Sequence, residues 1–167
     1  NSAAVLIAEA AAYAKSRKIT LVGLLDEIFA EFGVYLERGE SLTMDGAEGA
    51  AQIKSLVDSY AAHPPPAIDG TPVVSVINFA TDVIHDIEGD RIPAEAMLMI
   101  SLADGRRVAV RPSGTEPKIK YYMFAVQKPA TGASFALGEL PAIKESVAGK
   151  LVSLWTWLSS DAKQRMA

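Results

Sequence analysis

The chain has 167 residues, 50% hydrophobic and 22% charged, with two histidines and no cysteine. This size and apolar content fit one packed domain, or one domain and part of another, and exclude a disordered chain. Without cysteine the chain has no disulfide, thiolate metal site or cysteine nucleophile. Two histidines argue against a His-rich metal cluster. A formal net charge of -4 argues against a nucleic-acid binder driven by bulk charge.

Neither a membrane span nor a signal peptide is expected. No apolar run reaches 18 residues. The apolar N-terminal stretch Ala3–Ala14 is interrupted by Glu9 and is not preceded by basic residues. The chain begins with Asn1 rather than Met, which we interpret as a sign of a processed or partial chain.

Two helices are predicted at the N-terminus. Residues 3–15 are helix formers and apolar nearly all round, a pattern typical of a helix buried inside something larger. Thr20 is a candidate N-cap for a second helix that ends at Gly33 in a left-handed C-cap. The two helices should form a hairpin with a wide apolar face.

A connector and a third helix follow. Residues 34–44 indicate an extended connector with mixed charge. Asp45 should begin a helix, with Glu48 three residues later as in a capping box. Pro64, the first of three prolines, should end it.

The middle of the chain predicts three or four antiparallel strands. The runs are β-branched or alternate between apolar and polar residues, and Asp104-Gly105 is a signal for a two-residue hairpin turn. The candidates are 73–78, a weaker 82–87, 97–102, 107–111 and 118–126.

Pro141 should lie in the first turn of a last helix. The order predicts an α+β domain from Ser41 to Ala167, an antiparallel four-stranded sheet with helices packed on one face. The short helical hairpin at the N-terminus should belong to another domain.

The segment from Arg106 to Lys120 is strongly basic. It holds five basic residues and one acid, a local net charge of +4, so that the rest of the chain carries -8. A positive segment in an acidic chain indicates an anion site.

The loop within this segment has the groups that bind phosphate. Arg111 precedes it and can donate two hydrogen bonds to one phosphate. Ser113 and Thr115 offer hydroxyls, and Gly114 allows close approach of a ligand or a positive φ. From the residues alone, ordinary turn chemistry between two strands remains an equal alternative.

Residues 111–122, RPSGTEPKIKYY, resemble the phosphate-binding loop of the last domain of the α-D-phosphohexomutases, the phosphoglucomutases and phosphomannomutases. Residues 8–33 resemble the closing helices of that family's third domain, and residues 42–53 resemble the entry to its fourth. The resemblance covers most of the chain.

The resemblance implies a TBP-like C-terminal domain at 37–167, preceded at 1–36 by the closing helices of the third domain. The enzyme transfers a phosphoryl group between the 1- and 6-positions of a hexose, and this domain grips the phosphate that is not reacting. The fragment alone should be inactive, with no catalytic or metal-binding residue. The implied phosphate contacts are Arg111, Ser113, Gly114, Thr115, Lys118 and Lys120.

The family also implies Mg²⁺ and a sugar bisphosphate activator for the full-length enzyme, with no cofactor in this chain. The partners would be a hexose phosphate and the missing upstream domains, without nucleic acid or membrane, in the cytoplasm. Two alternatives stay open: a free-standing anion-binding or regulatory module, and a sheet-type nucleic-acid binder using Tyr121 and Tyr122.

Two further residues, Glu116 and His85, are interpreted as structural rather than as catalytic or metal-binding. Glu116, beside Arg111 and Lys118, should be an ion-pair partner that shapes the loop rather than a general acid. His85, between Asp82 and Asp86, is typical of a solvated edge rather than a metal site.

Overall fold

The computed structural model describes residues 2–44, 46 and 48–166. It divides into two compact units, one of residues up to Tyr35 with Val126–Val147, the other of Leu36–Ala125 with Ala148 onward. The predicted division at residue 36 into two domains stays a prediction. None of the described helices combines the length and apolarity that a bilayer crossing requires.

Helices form where the sequence predicts them. Thr20 caps the second, because its Oγ1 accepts the Gly23 N–H at 3.0 Å. The expected start of the third helix at Asp45 lies outside the described residues, and its N-cap Glu48 makes no side-chain capping bond. The helices are α1 Ser2–Ser16, α2 Leu21–Phe32, α3 Gly49–Ala62 and α4 Leu140–Met166, the last preceded by a 3-10 turn at Leu137–Glu139.

The predicted burial of the first helix is not found among the described residues. Leu6 and Ile7 are 64% and 63% exposed, and Ala14 is the buried residue of α1. The apolar surface of this helix is therefore not covered by the described part of the chain.

Gly33 ends α2, but not in the predicted left-handed helical conformation. Its φ of 109° is positive while its ψ of 158° is extended, a region open almost only to glycine. An added Cβ would lie 2.9 Å from the Gln127 carbonyl oxygen and 3.1 Å from Lys128 Cα. Backbone conformation and backbone contact together demand glycine here.

Gly33→Ala should therefore lower the free energy of unfolding by about 2–4 kcal/mol. Chemical denaturation monitored by circular dichroism measures this loss. Gly132→Ala is the matched control, since its φ is also positive, at 78°, but an added Cβ meets nothing within 4 Å. An equal loss in both variants would show that the close contact at Gly33 contributes nothing.

The sheet has six strands rather than the four predicted. Its order is β1-β6-β5-β4-β3-β2, with antiparallel pairing from β2 through β6. The strands are β1 Val34–Thr43, β2 Ala67–Ile68, β3 Thr71–Asn78, β4 Leu98–Leu102, β5 Arg107–Pro112 and β6 Lys118–Gln127.

Two predictions from the sequence are wrong, the connector at 34–44 and the strand candidate at 82–87. The predicted connector at 34–44 forms β1, next to β6 at the edge of the sheet. The weak candidate at 82–87 is a turn region, because the Asp86 carboxylate accepts the N–H groups of Glu88 and Asp90, both at 2.9 Å. Side-chain bonds of this kind compete with a strand ladder.

The β4–β5 hairpin has a three-residue loop instead of the predicted two-residue turn. The Leu102 carbonyl accepts the Gly105 N–H at 3.0 Å, and the Leu102 N–H donates to Arg106 O at 2.9 Å. Gly105 has a φ of 87°, as expected for the glycine that closes such a loop.

The core of the larger unit lies on one face of β6. Ile119, Tyr121 and Met123 are fully buried, and Trp155 of α4 packs edge-on against Tyr121, with ring centroids 5.6 Å apart. Alternate side chains of a strand point to opposite faces of the sheet. The other set in β6, including Lys118 and Lys120, therefore lies on the face opposite the helices.

Candidate phosphate-binding loop

The predicted loop is a tight connection between β5 and β6. Arg111 and Lys120 are directly paired across the two strands. The Ser113 N–H donates to Lys118 O at 2.8 Å, and the Lys118 N–H donates to Glu116 O at 2.7 Å. The loop is also attached to the end of β1, because the Met44 N–H donates to Pro117 O at 2.9 Å. Residues 113–117 are therefore held by backbone bonds on both sides.

The three small polar residues of the loop face a cleft. The cleft has a volume of about 460 Å³ and lies between the loop and α3. Among the hydrogen bonds of the described residues, none occupies the backbone N–H of Gly114 or of Thr115. Free amides beside hydroxyls are the groups that an anion nest requires. The lining of the cleft is Ala50, Ile53, Lys54, Val57, Asp58, Ala96 and residues 112–117.

Gly114 does not have the positive φ that the sequence left open. An added Cβ would meet nothing within 4 Å. Neither backbone strain nor packing therefore requires glycine at this position.

The predicted cations divide between two places. Lys118 and Lys120 line a second, smaller cleft of about 250 Å³ with residues 39–41, which include the acidic Glu40, and with Tyr122. Arg111 lines neither cleft; its guanidinium contacts the Glu95 carboxylate, with Nη1 2.8 Å from Oε1. The loop thus has hydroxyls on one side and lysines on the other.

The positive segment is less concentrated than its sequence indicates. Arg106 is 4% exposed and contacts Asp69 and Asp104 at the far end of β5. Arg107, paired with Phe124, lies at that end too. Two of the five basic residues therefore contribute nothing to the loop.

Sequence reasoning missed a cation that the fold supplies. Lys54 of α3 lines the same cleft as Ser113 and Thr115, and its ammonium forms an ion pair with Asp58 at 2.5 Å. The helical pattern places Lys54 beside the buried Ile53, but only the packing of α3 against β5 brings it to the loop.

The chemistry of the site is that of binding. The Lys118 ammonium donates a hydrogen bond to the Glu116 carboxylate and holds the pKa of that carboxyl below its ordinary value. Glu116 therefore stays ionised at neutral pH and cannot act as a general acid there, as the sequence predicted for an ion-pair partner. Among the described residues, no group of three or more His, Asp and Glu is placed to hold a metal ion.

The aromatic pair considered for base stacking is separated by the fold. Tyr121 is fully buried under Trp155, and Tyr122 is 39% exposed. A sheet-type nucleic-acid binder stacks successive bases on exposed aromatic rings, so Tyr121 cannot serve that function.

Comparison with known proteins identifies the class of domain. Residues 77–133, which include the whole loop, match the family described as phosphoglucomutase/phosphomannomutase, C-terminal domain. This segment of the chain belongs to the C-terminal domain of the phosphohexomutase superfamily, which confirms the resemblance found in residues 111–122. The resemblance of residues 8–33 to third-domain helices stays a prediction.

Individual relatives are bacterial phosphoglucomutases. The chain is 31% identical to phosphoglucomutase of Staphylococcus aureus (strain MSSA476), over 66% of this chain and 21% of that protein. It is 33% identical to phosphoglucomutase of Staphylococcus haemolyticus (strain JCSC1435), over 65% of this chain and 21% of that protein. The chain thus spans about a fifth of the length of these relatives.

One solved structure resembles the chain weakly. It is the open form of the exocytosis-sensitive phosphoprotein pp63/parafusin, a phosphoglucomutase from Paramecium, at 13% identity and a TM-score of 0.41. The likeness covers 87% of this chain and 23% of that chain. It is too slight to establish the fold.

Proposed function

We propose that this chain is the C-terminal portion of a phosphoglucomutase or phosphomannomutase and that its β5–β6 loop binds the non-reacting phosphate of a hexose phosphate. The observation that supports this most is the match of residues 77–133 to the C-terminal domain family, since these residues contain the whole loop. The proposed contacts are those of the sequence: Arg111, Ser113, Gly114, Thr115, Lys118 and Lys120.

The local geometry agrees with this function. Hydroxyls and unoccupied amides on a backbone-braced loop lose little conformational entropy on binding. Lys54 lines the same cleft as the hydroxyls, Lys118 and Lys120 line the second cleft, and Arg111 lies beside the loop near the end of β5. Charge-assisted hydrogen bonds from such cations are among the strongest that a phosphate dianion accepts. The one carboxylate of the loop, Glu116, is paired with Lys118. We therefore assign the loop no proton transfer or nucleophilic attack, and its contribution to phosphoryl transfer between the 1- and 6-positions is to hold and orient the substrate.

Several parts of the reaction are proposed to lie outside this chain. The groups that transfer the phosphoryl group, the Mg²⁺ and the action of the sugar bisphosphate activator belong in this proposal to upstream domains of a cytoplasmic enzyme. The described residues do not fit a Mg²⁺ site, as noted above. The chain alone should therefore bind ligand and show no mutase activity.

Calorimetric titration of the chain with glucose 6-phosphate tests this proposal. We expect saturable binding in the millimolar range, because partner domains would supply the remaining contacts. Glucose is the control ligand and should not bind. Equal heats for both ligands would refute phosphate recognition, and turnover of glucose 1-phosphate by the chain alone would refute the assignment of catalysis to other domains.

A further inference from the structure

Three of the cations around the loop are paired with carboxylates of the chain itself. Arg111 contacts Glu95, Lys118 contacts Glu116, and Lys54 contacts Asp58. Anion binding at this loop is therefore an exchange of one partner for another. The affinity for the anion depends on the free energy needed to displace each carboxylate from its cation.

Glu95 differs from the other two carboxylates in its position. Glu116 is the immediate loop neighbour of Lys118, and Asp58 follows Lys54 by one helical turn, so both are local pairs. Glu95 comes from the connection before β4, sixteen residues from Arg111 in the sequence. Its backbone is fixed on both sides, since its N–H donates to Phe79 O at 3.2 Å and its carbonyl accepts the Met97 N–H at 2.8 Å.

The Arg111–Glu95 pair is also accessible. Nη1 of Arg111 lies 2.8 Å from Oε1 of Glu95, and the two side chains are 41% and 45% exposed. A guanidinium has five N–H donors, so a ligand can approach the remaining ones. An exposed pair of this kind contributes little to stability, and a bidentate dianion can replace it.

We infer that Glu95 is a positioning residue, an internal competitor that holds Arg111 in place in the ligand-free loop and is displaced by the phosphate. This inference rests on the proposed function of the loop. It assigns Glu95 an effect opposite to that of the proposed ligand contacts. Removing its charge frees Arg111 and raises phosphate affinity, whereas loss of a ligand contact or of the fold lowers it.

The test is a titration of the full chain with glucose 6-phosphate, comparing Glu95→Gln with the wild type. Glu95→Gln should bind about three- to fivefold more tightly, the effect expected for removing one nearby negative charge at a solvent-exposed site. Glu88→Gln is the matched control, an exposed carboxylate of the same connection, and should leave the affinity within about twofold of the wild type. Glu95→Asp, which keeps the charge, should stay near the wild type.

A double-mutant cycle shows whether Glu95 acts through Arg111. With Arg111→Ala in place, adding Glu95→Gln should produce less than half of the gain in binding free energy seen in the wild-type background. An unchanged or weaker affinity of Glu95→Gln would overturn the inference while leaving the proposed function intact. If the wild-type chain does not bind glucose 6-phosphate at all, the proposed function fails instead.

Discussion

Replacing Arg106 with Met should lower the free energy of unfolding by about 3–5 kcal/mol, the range expected when one partner of a buried ion pair is removed. The Arg106 side chain is 5% exposed and joins two turns of the sheet. Its Nε donates to Asp104 Oδ2 and its Nη1 to Asp69 Oδ2, both at 2.7 Å, and Nη2 donates to Thr71 Oγ1 at 2.8 Å. Met fills similar space but leaves both carboxylates without their cation.

Arg107→Met is the control for this prediction, because Arg107 carries the same charge one position later but is exposed. It should change the free energy of unfolding by about 0.5 kcal/mol or less. Arg106→Lys should recover only part of the loss, since an ammonium cannot reach three separate acceptors in the planar arrangement of a guanidinium. Urea denaturation at neutral pH measures all three. An Arg106→Met variant as stable as Arg107→Met would contradict the importance of this network.

The same network makes a prediction about pH. Burial by itself raises the pKa of Asp69, but hydrogen bonds from Arg106 and Ser153 outweigh it and hold this pKa below its ordinary value. The resulting stabilisation is present above the unfolded-state pKa and is lost as the pH falls through the folded-state pKa. The difference in stability between the wild type and Arg106→Met should therefore shrink below about pH 4.

Arg111→Ala should weaken binding of glucose 6-phosphate about tenfold or more, the second large effect that we expect. Hydrogen bonds between a guanidinium and a phosphate are charge-assisted and contribute about 1.5–3 kcal/mol. Arg111 is half-exposed and its one ion pair is with Glu95, so its removal should leave the fold intact. Calorimetry gives the affinity, and circular dichroism shows that the variant is folded.

Arg107→Ala provides the matched control. Both arginines lie on β5, and positions 107 and 111 are on the same face of the strand. They lie at opposite ends, since Arg107 is paired with Phe124 and Arg111 with Lys120. If the two variants lose affinity equally, general electrostatic attraction accounts for binding, and the specific assignment of Arg111 is refuted.

Local patterns predicted the interior elements of the fold and failed at its edges. The runs that became β3 to β6 are β-branched or alternating, because each is packed between neighbours. β1 carries Glu37, Arg38 and Glu40, and such charges are what protects an edge strand from unwanted pairing. The same charges make the segment look like a connector when only the sequence is considered.

The candidate site, too, could be predicted only in its local features. The composition of the loop and its position between two strands were predictable, since Ser113, Gly114 and Thr115 act within a few residues. The roles of Arg106, Glu95 and Lys54 were not, because each depends on a partner or a cleft formed by tertiary packing. Arg106 was counted with the loop, although an aspartate two residues before it, Asp104, is the local partner that turns it toward the far hairpin.

Amide chemical shifts of the chain during titration with glucose 6-phosphate test the central claim most directly. If the β5–β6 loop binds phosphate, saturable shifts should be largest at the backbone N–H groups of Ser113, Gly114 and Thr115. They should be absent with glucose, and in Arg111→Ala they should need about tenfold more ligand or more to reach the same size. Unchanged spectra at millimolar ligand, or saturable shifts confined to residues far from this loop, would contradict the assignment of this segment as the phosphate-binding site.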